Sequence, residues 1–111
     1  MIASLAAISA AIAIGAAAFG AHGAPSAQAA EWLRTGGMYQ LVHAVAVFAL
    51  AGMPGSRAPV IVMLIGSLIF AVTLYLMAFG APRWLGAITP IGGVLMIAGW
   101  LWVAVRYGAK V

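Results

Sequence analysis

Hydrophobic positions fall into four long runs, separated by short clusters of glycine, proline and polar residues. Residues 2–19 are apolar apart from two serines. The cluster Gly20-Ala21-His22-Gly23-Ala24-Pro25 follows, a second run covers residues 38–52, and Met53-Pro54-Gly55-Ser56-Arg57-Ala58-Pro59 breaks the chain again. Residues 60–79 form the third run. After Gly80-Ala81-Pro82-Arg83 a fourth begins at Trp84. An apolar run of about 18 residues or more predicts a helix that crosses a bilayer, and the first, at about 27 Å, nearly matches the hydrocarbon thickness of ~30 Å. Its small residues Ala7, Ala11 and Gly15 recur every four positions and predict a packing face there.

The second run is too short to cross, at about 22 Å, unless its helix starts earlier. The residues before it allow that. Ser26 suits an N-cap, the alanines after it favour helix, and Glu31 with Arg34 makes an i,i+3 pair on a wet face. The expected helices are residues 2–20, 27–51, 60–79 and 85–105, the second bent at Gly36-Gly37. Tyr39, Gln40 and His43 are thereby drawn some 10 to 15 Å below the membrane surface. Thr89-Pro90 reads either as a helix start or as a kink in a helix already running from Trp84.

Composition supports this pattern. The 111 residues are 67% hydrophobic and 5% charged, with a mean hydropathy of +1.19, too apolar for the surface of a soluble domain. The expected class is an all-α membrane protein, four transmembrane helices in one compact bundle spanning residues 1–111. The first helix lacks a preceding basic residue and is longer than an ordinary signal-peptide core, so it is expected to be a mature span. The net charge of +4 does not point to nucleic acid, because Arg34, Arg57, Arg83, Arg106 and Lys110 are scattered near predicted helix ends. With four spans, Arg57, Arg106 and Lys110 share the side of both termini, against Arg34 and Arg83, partly offset by Glu31, on the other. The positive-inside rule then favours cytoplasmic termini. Trp32 and Trp84 would mark the outer interface, and Trp100, Trp102 and Tyr107 the inner one.

Candidate chemistry is confined to a few side chains. His22, Tyr39, Gln40, His43, Thr73, Tyr75 and Thr89 are expected in the outer half of the bundle, as a polar clasp or shallow ligand pocket, with Glu31 and Arg34 as an interfacial ion pair. Gln40 or His43 bonding to Thr73, Thr89 or the carbonyl freed by Pro90 would fix the packing. Imidazole titrates in the physiological range, so the alternative is a small transporter or proton-linked component using His43. A metal or haem enzyme built on His22, His43 and Glu31 is a third reading, but those residues lack a diagnostic ligand spacing. With no cysteine, thiolate metal sites and thiol catalysis are excluded. No catalytic set, metal or cofactor is assigned. The expected partners are the lipid bilayer and a second copy or larger membrane complex.

Four motifs in order carry a family resemblance: G-A-A-A-F-G-A-H-G at residues 15–23, W-x-x-T-G-x-x-Y-Q-x-x-H-A at 32–44, L-Y-L-M-A-F-G at 74–80, and W-L-G-A-I-T-P-I-G-G at 84–93 with Gly99-Trp100. Together they resemble the domain of unknown function 423 family, whose eukaryotic relatives go by the name transmembrane protein 256. The resemblance implies a small four-helix membrane protein, in the inner membrane in bacteria, and supplies no catalytic residue. Two positions depart from the family pattern. Ala24-Pro25 replaces leucine and a basic residue, and Val72-Thr73 replaces a glycine-serine pair, which argues against a tight helix crossing at that point. Small multidrug transporters share the length but have an acidic residue in their first helix, absent here.

Overall fold

Apolar runs broken by glycine and proline fold as four helices in the computed structural model of the chain, which describes residues 1–110: α1 Ile2–His22, α2 Ala27–Leu50, α3 Arg57–Ala78 and α4 Thr89–Tyr107. Single 3-10 turns cover Arg83–Ala87 and Gly108–Lys110. Ser26 starts α2, its hydroxyl accepting the Ala29 amide at 3.0 Å. At the end of α3, Gly80 adopts φ +101, while the Gly80 and Ala81 amides bond back to Met77 and Leu76, the Schellman pattern that stops a helix. Thr89-Pro90 resolves as a helix start. The 3-10 turn ends at Ala87, Ile88 precedes the helix, and Pro90 takes the second helical position, where its missing amide costs no bond.

The helices run up and down in sequence. α2 lies between α1 and α3, and α4 packs on α3. The interior combines small or polar residues, including Ala6, Ala13, Ala71, Gln40 and Ser67, with the apolar side chains of Leu33, Val47, Val60 and Met63, each 0 or 1% exposed. What lies outside is large and apolar: Ile8, Ile12, Val45, Phe48, Ile97, Leu101 and Val105 are all more than half exposed. Such a distribution is unstable in water and suits hydrocarbon, where close backbone contact rather than burial of bulk holds helices together. Three segments, Ile2–His22, Arg57–Ala78 and Arg83–Tyr107, are long and apolar enough to cross a membrane on their own. α2 is not among them, because it carries Glu31, Arg34, Gln40 and His43.

One expectation about packing is corrected. The face of α1 that meets α2 is Ala6, Ser9, Ala13 and Gly20, whereas Ala7, Ala11 and Gly15 face outward. Gly36 and Gly37 lie within the continuous helix α2. They are its contact points, Gly37 against Ala13 and Ala17 of α1 and Gly36 against Ala71 and Tyr75 of α3. α3 and α4 do cross tightly, two turns from Val72-Thr73: a Cβ on Gly66 would lie 2.9 Å from the Gly92 carbonyl oxygen. Beyond that crossing, Arg106 and Tyr107 remain helical rather than forming a tail, and the Tyr107 hydroxyl donates to the Pro54 carbonyl at 2.7 Å, tying the end of α4 to the α2–α3 turn.

Candidate functional site

Apart from Ser67, whose hydroxyl donates to the Leu64 carbonyl of its own helix at 2.9 Å, the polar side chains inside the bundle form three separate groups. In the first, the Gln40 amide donates to Ser9 Oγ at 2.9 Å and its carbonyl accepts the Tyr75 hydroxyl at 2.6 Å, joining α1, α2 and α3. In the second, Thr73 and Thr89 share a 2.6 Å hydrogen bond between α3 and α4, and both hydroxyls also lie within reach of carbonyls one turn back in the chain. The third centres on His43. Its Nδ1 is 2.7 Å from the Tyr39 carbonyl, and the Trp100 indole donates to its Nε2 at 2.9 Å.

The last pair fixes the imidazole chemically. A carbonyl oxygen only accepts, so Nδ1 carries the hydrogen. An indole N–H only donates, so Nε2 is bare. His43 is therefore a neutral ring whose two nitrogens are both occupied. A second proton on Nε2 would set two N–H groups against each other, and a metal there would displace Trp100. Among the described residues no buried side-chain nitrogen or oxygen lacks a partner, and no three metal-ligating side chains come together.

Beside His43 the bundle wall is recessed. Tyr39, Phe70, Met96, Ile97 and Trp100 surround an open hollow of about 410 Å³ between α2, α3 and α4. The Tyr39 ring lies 4.9 Å from that of Phe70, and the Trp100 ring meets His43 edge-on at 5.9 Å. The hollow is aromatic and aliphatic, with the imidazole edge at its base.

Gln40 and His43 do not reach Thr73 or Thr89, which bond each other instead. His22 lies exposed at the end of α1, away from the cluster, and the exposed Glu31 and Arg34 side chains pair with one another. The cluster also extends deeper than the outer half. His43 lies sixteen residues from the start of α2 and seven from its end, about 10 Å from the terminus-bearing side. Ser9 and Trp100 are the partners the sequence reading missed. Each is seven residues from its own helix end on that same side, so the helix bounds already place all three at one depth.

Helices in close contact over small residues, a closed set of hydrogen bonds and a sheath of large aliphatic side chains define a helical integral membrane protein. The chain belongs to the family described as protein of unknown function (DUF423), whose sequence model matches residues 16–93. It is similar to UPF0382 membrane protein SSP2132 of Staphylococcus saprophyticus, 35% identical over 109 residues and covering 91% of each chain. A UPF0382 membrane protein of Haemophilus influenzae is 39% identical over 100 residues, covering 83% of this chain and 79% of its own. The UPF0382 inner membrane protein YgdD of Escherichia coli is 34% identical over 104 residues, covering 86% and 79%. No solved structure matches.

Proposed function

We propose that this protein is a four-span inner-membrane component that acts by binding rather than by catalysis or ion movement, and that the hollow beside His43 takes an apolar ligand or a lipid acyl chain. The observation that carries this reading is the double engagement of His43. A proton carrier needs a nitrogen that can gain and lose a proton without dismantling its surroundings, and the Nε2 that lacks hydrogen accepts the Trp100 indole N–H. The Gln40 and threonine groups are likewise engaged between helices, which supports a role in holding the bundle in register.

The fourth span is α2. Its 24 residues are about 36 Å long, it lies antiparallel between two helices that are each apolar enough to cross, and its polar residues Gln40 and His43 point inward. A cytoplasmic position for the termini is supported by Arg57 and Arg106, which stand at the same end of the bundle.

Solution NMR of the protein labelled with ¹⁵N at histidine tests the closed site. The expected result is a neutral His43 with hydrogen on Nδ1 alone, and addition of Zn²⁺ leaves its resonances in place. A zinc-dependent shift at Nε2, or a pH-dependent flux in vesicles abolished by His43→Leu, would overturn the reading. Mass spectrometry of the protein gently extracted from its native membrane is the direct search for the ligand, and Ile97→Trp, which fills the hollow, is expected to remove it.

A further inference from the structure

At the terminus-bearing end the structure has a second and larger recess, which His43 does not line. It is a cleft of about 840 Å³ between the start of α1, the end of α2 and the first half of α3, walled by Leu5, Phe48, Ile61, Leu64 and Leu68, with Arg57 at its mouth. Arg57 is exposed and makes no ion pair among the described residues. The sole side-chain carboxylate of the chain, Glu31, belongs to Arg34 at the opposite end of the bundle, so none competes for it.

We propose that this cleft binds one anionic glycerophospholipid, its phosphate on the Arg57 guanidinium and one acyl chain along Leu64 and Leu68. The dimensions agree with that occupant. From Arg57 to Leu68 the helix rises about 16 Å, close to half of the ~30 Å hydrocarbon core and so to the depth of one leaflet. Chemistry agrees as well, because a guanidinium matches phosphate in a forked, charge-assisted contact, and the wall below it is aliphatic and aromatic without a polar side chain. The backbone adds to this. Ser56 turns its hydroxyl toward the Ala51 carbonyl instead of capping α3, so its side chain does not occupy the first amides of the helix that begins at Arg57.

The test uses the full chain in mild detergent, mixed with equal amounts of dioleoylphosphatidylglycerol and dioleoylphosphatidylcholine, and counts retained lipids by native mass spectrometry. Wild type is expected to retain the anionic lipid about fivefold over the zwitterionic one, the preference that one interfacial arginine provides. Arg57→Gln is expected to bring the ratio to near unity, Arg34→Gln to leave it unchanged, and Leu68→Trp to lower anionic lipid retention by filling the cleft. Equal retention by wild type, an undiminished preference in Arg57→Gln, or an equal loss in Arg34→Gln would overturn the proposal. So would release of the lipid by millimolar inorganic phosphate, since a free anion would then satisfy the site without the chain. Because no arm involves His43 or Ile97, failure here leaves the reading of the first hollow untouched.

Discussion

Trp100 of α4 donates its indole N–H to the bare nitrogen of His43 on α2, 57 positions earlier in the chain, across 2.9 Å. α2 and α4 are not principal packing neighbours, since α3 lies against both. The contact therefore links α2 to α4 where their backbones do not meet, adding to the packing that α3 makes with both.

The coupling between these side chains is measurable as a double-mutant cycle. Trp100→Phe keeps an aromatic ring and removes the donor; His43→Leu removes the acceptor. Interhelical hydrogen bonds in membrane proteins average about 0.6 kcal/mol and reach about 1.7. A coupling in the upper part of that range is expected from unfolding in detergent, because the double variant loses little beyond His43→Leu alone. Additive losses would show that the bond adds nothing to stability.

Gln40 is expected to be the more costly loss. Gln40→Leu strips Ser9 and Tyr75 of a shared partner in a place without water, at about 1 to 3 kcal/mol, while Tyr75→Phe removes one bond, at about 0.5 to 1.5 kcal/mol. Thermal denaturation in a single detergent should rank Gln40→Leu below Tyr75→Phe and both below wild type.

Glycines should divide by what faces them. A methyl group on Gly92 would meet the Gly66 oxygen and the Phe70 backbone, so Gly92→Ala forces α3 and α4 apart and is expected to cost at least about 1 to 3 kcal/mol. Gly15 has nothing within 4 Å of the added carbon, and Gly15→Ala is expected to be neutral or stabilising by up to about 1 kcal/mol. Denaturation midpoints of the two variants decide it.

How far the sequence foretold this arrangement depends on the type of signal. Helix positions were legible because breakers such as Met53-Pro54-Gly55 interrupt long apolar runs, and the start of α2 followed from length alone. Helix rotation was not. In α1 both the Ala7-Ala11-Gly15 face and the Ala6-Ala13-Gly20 face are small, and in lipid no difference in hydrophobicity says which one turns inward. Trp100 was misplaced for a related reason. Tryptophan is enriched at membrane interfaces, so its position near a helix end read as a belt residue, while its depth, equal to that of His43, marked it as a partner. The grouping of polar residues was half visible: Tyr39, Gln40 and His43 share a stretch of α2, but which helix answers each one is set by register across the bundle.

The three polar groups also impose an order on biogenesis. Ser9, Gln40 and Tyr75 come from α1, α2 and α3, so their chain of bonds needs only the first three helices to be synthesised. His43 and Thr73 must wait for Trp100 and Thr89 on α4, the last helix to be synthesised. A chain stopped before residue 100 lacks the donor for the Nε2 of His43, so that nitrogen is satisfied only when the last helix is in place.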